Sequence, residues 1–374
     1  MTNYTLTRLL YSEDEVIFTF ITSLLKRESV AESYYWAYEL YYSGTEIFPL
    51  FWKIYLDFYA THNPKLEGYI KEKEDAWKRD KNMRHIAYIV RNMFRLEPTS
   101  KVFILRQFLA SGGLPDRIYR GRRPTWLHEY DKVYHNMLLS INKGQLRNAV
   151  YNMKIILEST SPDELHSILI KYYSGHNDSI DINNAEEQWK TRVHNYDFHL
   201  LISIIVHMNE PMNDINTRCL FISPTEKDMK AIRWIADESI SEERAYKTFR
   251  KKRLYPIRPT IGSFPLARFG FEDFKQETFW YWEYYATDGC PLWKERLVRF
   301  SGTLDHEHKK IVFSDGDNED AFYDKYGFDF DEQSKDIQDM SLVDIGQTDW
   351  NIWYYSIFDG EPIVDLPTGF SYLY

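Results

Sequence analysis

Three groups of side chains have types and spacings that could do chemistry. The first is His128-Glu-Tyr-Asp131-Lys-Val-Tyr-His135. On a helix, His128, Asp131 and His135 fall at i, i+3 and i+7, and two imidazoles with a carboxylate form a ligand set for a divalent ion. The two histidines, however, stand two turns apart, roughly 10 Å along the axis, which is too far for one ion with bonds of about 2 Å. No metal is expected there. His194, Asp197 and His199 are read the same way, and His306-Glu307-His308 as an exposed turn. The second group is carboxylates. Asp329 and Asp331 sit in a run of like charge, which reads as solvated surface rather than a catalytic pair. The third group mixes bases with aromatics. Arg117-Ile-Tyr-Arg120-Gly-Arg122-Arg123-Pro-Thr-Trp126 is one stretch; Lys247, Arg250, Lys251, Lys252 and Arg253, interleaved with Tyr246, Phe249 and Tyr255, form another. Guanidinium groups fork onto phosphates and aromatic rings stack on unpaired bases, a combination that suits single-stranded RNA better than duplex reading. The competing reading is a solvated loop, or a docking surface for the chain's own acidic segment.

Signals of familiar enzyme classes are missing from the sequence. Gly112-Gly113 is the only adjacent glycine pair; it lacks a following Lys-Ser/Thr and comes after a helix rather than a strand, so it is no phosphate cradle. No Gly-x-Ser-x-Gly elbow occurs. A non-enzymatic protein without a cofactor is expected.

Composition narrows the class further. At 374 residues, with 44% hydrophobic and 27% charged content, the chain has the make-up of an ordinary globular protein of one to three domains. Its aromatic content, 17%, is high, and Tyr and Trp suit cores and interfaces alike. Two cysteines, Cys219 and Cys290, exclude a disulfide scaffold and fit a reducing compartment. Acidic Glu13, Asp14 and Glu15 stand where a leader would be basic, and the longest apolar run, Leu200 to Val206, is too short to span a bilayer; no signal peptide and no membrane are expected. The net charge of -10 is concentrated in residues 314–349, where twelve carboxylates face only Lys325 and Lys335. The rest of the chain is near neutral and has room for basic patches.

The elements that would position these residues are mostly helices. Ser29-Val-Ala-Glu32 is a capping box, and Gly44 stands where a helix C′ residue needs positive φ. Further helices are predicted over 46–59, 64–77, 81–95, 99–110, 125–141, 144–158, 184–207, 223–237 and 241–252. Ser161-Pro-Asp-Glu164 and Ser223-Pro-Thr-Glu226 both place proline at N1 of a capping box. Paired helices at about 35 residues per pair suggest a HEAT-type solenoid, although no repeating consensus aligns from pair to pair. After Leu254 the character changes: proline-rich extended segments, an aromatic stretch over 277–286, a short hairpin of 302–305 with 309–313, an amphipathic turn or two at 319–326, and then the acidic segment. The expected architecture is mainly α. A HEAT-like helical-repeat domain over 1–253 precedes a smaller mixed α+β, aromatic-rich C-terminal region over 254–374 that carries the acidic segment.

Two resemblances bear on function. Tyr4-Thr-Leu-Thr-Arg-Leu9-Leu10 resembles the Tyr-x-x-x-x-Leu-Φ peptide through which initiation factor 4G grips the cap-binding protein, initiation factor 4E, in a helix-in-groove mode. In that scaffold the peptide likewise precedes a HEAT-type domain that binds RNA and the helicase initiation factor 4A. Glu32-Ser-Tyr-Tyr-Trp-Ala-Tyr-Glu-Leu-Tyr-Tyr-Ser-Gly44, Leu50-Phe-Trp-Lys-Ile-Tyr-Leu-Asp-Phe-Tyr59, Asn63-Pro-Lys-Leu66, Ala321-Phe-Tyr-Asp-Lys-Tyr-Gly-Phe328 and Asp331-Glu-Gln333 resemble a protein family of giant nucleocytoplasmic DNA viruses of the mimivirus type. That family supplies a context rather than an activity. Together the resemblances imply a viral scaffold in the host cytoplasm, promoting translation of viral messages. It would hold an initiation factor 4E-like cap-binding protein through Tyr4, Leu9 and Leu10, with an initiation factor 4A-like RNA helicase and mRNA as further partners at the basic clusters. The alternative is a structural or assembly protein of the virus particle.

Overall fold

The computed structural model describes residues 5–115, 121–174, 185–186, 189–190, 192, 196–210, 220–235, 255, 257, 261, 281–326 and 350–360. Among the described residues the fold is mainly helical, with one two-stranded sheet and aromatic clusters in the C-terminal region. The helices are α1 (Glu13–Lys26), α2 (Val30–Tyr42), α3 (Ile47–Phe58), α4 (Leu66–Asp80), α5 (Arg84–Arg95), α6 (Lys101–Ala110), α7 (Lys132–Asn142), α8 (Leu146–Leu157), α9 (Pro162–Ser174), α10 (Asp197–His207), α11 (Glu226–Ile235), α12 (Trp282–Gly289), α13 (Pro291–Arg299), α14 (Gly316–Tyr326) and α15 (Trp350–Tyr355).

Local signals explain several helix boundaries. Ser29 Oγ accepts the Glu32 N–H at 3.3 Å, and Ser161 Oγ accepts the Glu164 N–H at 3.2 Å, so both predicted caps form. Three of the predicted helices differ from expectation. The helix predicted over 125–141 is split: Asp131 accepts the Val133 N–H at 2.9 Å and starts α7 there, leaving Thr125–Leu127 as a separate 3-10 turn. At the start of α11, Thr225 and Asp228 form the reciprocal cap, not Ser223 and Glu226; Thr225 N–H donates to Asp228 Oδ2 at 2.7 Å and Asp228 N–H to Thr225 Oγ1 at 3.2 Å. Asp228 lies nearer the apolar face, and its residue is buried. The single long helix predicted over 184–207 is also interrupted, since Arg192 is not helical and α10 starts at Asp197.

The chain folds as two compact units. Unit 1 is Met1–Ile47, Ser223–Asp349 and Gly369–Tyr374; unit 2 is Phe48–Ile222 and Trp350–Thr368. The division differs from the expected 1–253 and 254–374. Long-range packing joins the N-terminal segment and its first helix pair to the C-terminal half.

In unit 1, α1 pairs with α2 and α11 packs on α2. Helices α12 and α13 pack against β1 (Gly302–Asp305) and β2 (Lys310–Phe313). The strands are antiparallel, with Gly302 opposite Phe313 and Asp305 opposite Lys310. A core of Leu6, Leu10, Trp282, Tyr285, Cys290, Trp293, Phe322 and Tyr326 fills this part. Trp282 and Trp293 meet edge to face at 5.3 Å, a geometry that adds to their burial. Gly44 ends the first helix pair with φ +94°, and a Cβ there would lie 2.6 Å from Pro291 Cδ, so the α13 start needs a glycine as neighbour.

In unit 2, α4–α5 and α7–α8 are helical hairpins. Helix α5 buries Ile86, Ala87, Ile89, Val90 and Met93, one stripe of an amphipathic helix. Helix α10 is different: every residue from Leu200 to His207 is buried. It packs on α6, α8 and α9. A helix apolar all round must be covered on several sides, and α10 thereby departs from the nearest-neighbour stacking of a solenoid.

Candidate functional site

The N-terminal heptad comes first. Tyr4 lies outside the described residues. Leu9 and Leu10 lie in a tight turn, not a helix. Leu6 and Ser12 bridge across it, Thr7 N–H donates to Tyr11 O at 2.8 Å, and Leu10 has φ +61°. Both leucines point inward: Leu9 is 7% exposed and Leu10 2%. The turn is clamped by polar contacts. Arg8 Nε donates to Glu39 Oε2 at 2.8 Å in a buried ion pair, and Leu9 N–H donates to the other carboxylate oxygen at 3.0 Å. Arg8 N–H donates to Ser43 Oγ at 2.8 Å, and Trp293 Nε1 donates to Arg8 O at 3.0 Å. Presenting Leu9 and Leu10 to a partner groove would break this clamp and expose a buried charge pair. The expected docking helix is therefore corrected to an internal turn that closes the unit 1 core.

The basic clusters separate. Arg117, Arg120, Arg250, Lys251, Lys252 and Arg253 lie outside the described residues. Arg123 is used internally: Nε and Nη2 donate to Leu127 O at 3.0 and 2.6 Å, and Nη2 also donates to Tyr130 O. It satisfies carbonyls of the 3-10 turn and is corrected from a phosphate contact to a structural one. Arg122 is exposed and has no side-chain ion pair among the described residues. Beside it, Trp126 carries the exposed Lys171 ammonium 4.7 Å above its ring, and Tyr130 meets Trp126 edge-on at 6.3 Å. Exposed Glu129 and Asp131 flank the patch, Asp131 being engaged in capping α7.

The histidine and carboxylate candidates are placed as follows. Asp131 caps α7, while His135 Nε2 lies 3.3 Å from Arg122 O. Exposed His128 stands apart from both contacts. His194, Asp329 and Asp331 lie outside the described residues, and Asp197 accepts from Arg192 Nε at 2.9 Å. The 306–308 turn is exposed and built on Asp305, whose Oδ1 accepts the Glu307 and His308 N–H groups. Cys290 is buried, and burial pushes its thiol up to about 11, which keeps it from acting as a thiolate.

One polar cluster in unit 2 has no counterpart among these candidates. Asp57 of α3 is buried and takes Arg106 of α6 in a forked pair, at 3.1 Å to Nε and 3.0 Å to Nη2. Lys53 precedes Asp57 by one turn of α3 and is half-buried, with no ion pair among the described residues. Burial, then the Arg106 charge, pull its ammonium below the ordinary range, and Asp57 opposes them. His199 of α10 is half-buried, and its Nδ1 is shut from solvent without a hydrogen-bond partner. Burial is the main cause that lowers its pKa; Asp57 opposes, and Arg106 and Lys53 reinforce. At the start of α6, partly buried Lys101 does find a carboxylate, Glu210, just past the end of α10. The signal in sequence is faint: a Lys-x-x-x-Asp step inside Phe51-Trp-Lys-Ile-Tyr-Leu-Asp-Phe58, a lone Arg106 and a lone His199 in apolar helices. Compared with family models, with curated proteins and with solved structures, the chain finds no match in any of the three.

Proposed function

We propose that the protein is a non-enzymatic helical scaffold that contacts single-stranded RNA through a basic–aromatic patch on unit 2. One observation carries this reading: the exposed Lys171 ammonium lies 4.7 Å over the Trp126 ring, Tyr130 meets that ring edge-on, and exposed Arg122 is four residues before Trp126, neither cation having an ion pair among the described residues. Cations next to partly exposed rings bind phosphates and stack bases. The resemblance of the 32–44, 50–59 and 321–333 strings to a giant-virus family supports the further proposal that such a scaffold works in a cytoplasmic viral factory, handling viral messages. Docking of a cap-binding protein through Leu9 and Leu10 drops out of this reading, because the internal clamp holds both.

Fluorescence anisotropy with a 12-nucleotide oligouridine bearing hydroxyl ends tests it. The Arg122→Glu, Lys171→Glu double variant is expected to bind at least tenfold more weakly. Two lost phosphate contacts should also flatten the slope of log K against log salt by about 1.4, at about 0.7 per contact for single strands. Equal affinity and equal slope in wild type and variant overturn the reading.

A further inference from the structure

We propose that the α4–α5 hairpin of unit 2 is a receptor for an extended, aromatic-bearing peptide segment of another protein, and that residues 220–222 of the chain occupy it as a built-in stand-in. The proposal goes beyond the RNA patch and uses different residues.

Leu220, Phe221 and Ile222 belong to no helix or strand, yet the hairpin holds all three. Asn92 of α5 pairs with the Ile222 main chain on both sides of its amide. Its Oδ1 accepts the Ile222 N–H at 2.9 Å, and its Nδ2 donates to Ile222 O at 2.9 Å. One planar amide can take both groups of a residue only where they project to the same side, as they do in an extended chain; a neighbouring antiparallel strand offers the same pairing. Arg95 Nη1, at the end of α5, donates to Leu220 O at 3.1 Å. Between these contacts Phe221 stacks on Tyr69 of α4, with ring centroids 4.1 Å apart and planes 18° apart. The Leu220 side chain is turned out, 79% exposed. These contacts read main chain at Leu220 and Ile222 and a ring at Phe221. In such a mode the main-chain bonds supply affinity, and the one side-chain site supplies selectivity, here for an aromatic residue.

The receptor side is built in advance. Asn92 is 2% exposed, and its Nδ2 also donates to Tyr88 O at 2.8 Å, one turn earlier on α5, which aims the amide. With no peptide main chain in the place of Ile222, this buried amide would lose a donor to its oxygen and an acceptor for one N–H, so the site calls for a peptide backbone. The stand-in is lightly held by comparison: the three main-chain bonds and one ring stack fix it, and Phe221 and Ile222 are only half-buried. Segments with few buried apolar contacts open at low cost. A partner segment with the same main-chain groups and an aromatic residue can therefore take the strap's place.

The test uses the full chain with the strap opened. Phe221→Ala removes the ring and Ile222→Pro removes the N–H that Asn92 accepts, so the double variant vacates the hairpin without shortening the chain. Fluorescence anisotropy follows a fluorescein-labelled peptide of residues 217–224 carrying Cys219→Ser. The double variant should bind it about tenfold or more tightly than wild type, whose own strap competes from within the chain. In the peptide, Leu220→Ala should leave affinity within about twofold, whereas Phe221→Ala or N-methylation of the Ile222 nitrogen should weaken it about tenfold. Asn92→Leu in the double variant should weaken binding to the same degree. A readout on wild type needs no stable variant: millimolar peptide should displace the strap and speed deuterium exchange at the Ile222 amide, and the N-methylated peptide should not. Equal affinity in double variant and wild type, equal affinity of the Leu220→Ala and Phe221→Ala peptides, binding unchanged by Asn92→Leu, or Ile222 exchange unmoved by the peptide each overturn the proposal.

Discussion

Replacing Glu67 by glutamine should change stability in a manner set by pH. Glu67 lies on α4, is 3% exposed, and its Oε2 has no hydrogen-bond partner among the described residues. Burial raises its carboxyl from 4.5 to about 8, with a hydrogen bond from Tyr55 acting in the opposite direction. Because the folded pKa lies above the unfolded one, the sign is the reverse of a salt-bridged acid. Below pH 4.5 both states hold the proton and nothing is lost. Between 4.5 and 8 the unfolded chain releases it and the folded chain keeps it, so stability falls by about 1.4 kcal/mol per pH unit. At pH 7 the accumulated loss is about 3 kcal/mol on this scale. Glutamine has the same shape and never ionises, but its amide leaves one N–H unpaired, at about 1–2 kcal/mol. Glu67→Gln should therefore be slightly less stable than wild type at pH 5 and more stable, by about 1–2 kcal/mol, at pH 7. Urea unfolding of both chains at pH 5, 6, 7 and 8 measures the difference, and every other titrating group cancels. A difference that does not vary with pH, or that favours the variant most at low pH, refutes the reasoning; Glu67 would then be ionised and paired in the fold.

Two further perturbations bear on the same physics. Glu39→Ala leaves Arg8, 3% exposed, buried without its carboxylate and should destabilise by about 3–5 kcal/mol in urea unfolding, while Glu39→Gln, which still accepts the Leu9 N–H, should do less harm. His166 stacks on Trp189 at 4.4 Å with its Nε2 unpartnered among the described residues, and burial, then the Arg192 charge, lower it from 6.5 to about 4. It is neutral in the fold, so its contribution is complete above pH 6.5 and is lost as pH falls toward 4. His166→Phe should remove that acid sensitivity, a difference of about 2 kcal/mol between pH 7 and pH 4 after allowing for screening, read by unfolding at both pH values.

What could be read from the sequence was whatever depends on neighbours a few residues away. The Ser29 and Ser161 caps, the positive φ of Gly44 and the 302–313 hairpin each need only local chemistry, and each forms. Where two local signals compete, tertiary burial decides. Asp131 outranks a continuous helix over 125–141, and Asp228 outranks Glu226 as the capping partner of α11. The unit boundaries were not legible, because the N-terminal turn is held by Trp293 and Tyr285, almost the whole chain away. The Asp57–Arg106 pair was hidden for the same reason: two helices bring its members together, and each alone reads as an ordinary polar residue on an apolar face.

The N-terminal heptad shows what a spacing rule leaves undetermined. Tyr-x-x-x-x-Leu-Leu specifies its apolar ends and says nothing of the four residues between them. The last of these is Arg8, and its burial decides the outcome. An arginine at 3% exposure must be paired, and Glu39 at 0% pairs it while also taking the Leu9 N–H. A docking peptide would need Arg8 in solvent and Glu39 free to be hydrated; the fold has instead enclosed both, and the leucines with them. The same criterion explains Arg106 on α6: its side chain is 11% exposed and Asp57, at 2%, takes it in a fork at 3.1 and 3.0 Å. Enclosed charges that are fully paired in this way hold the fold together, and a spacing rule that ignores them misplaces the leucines beside them.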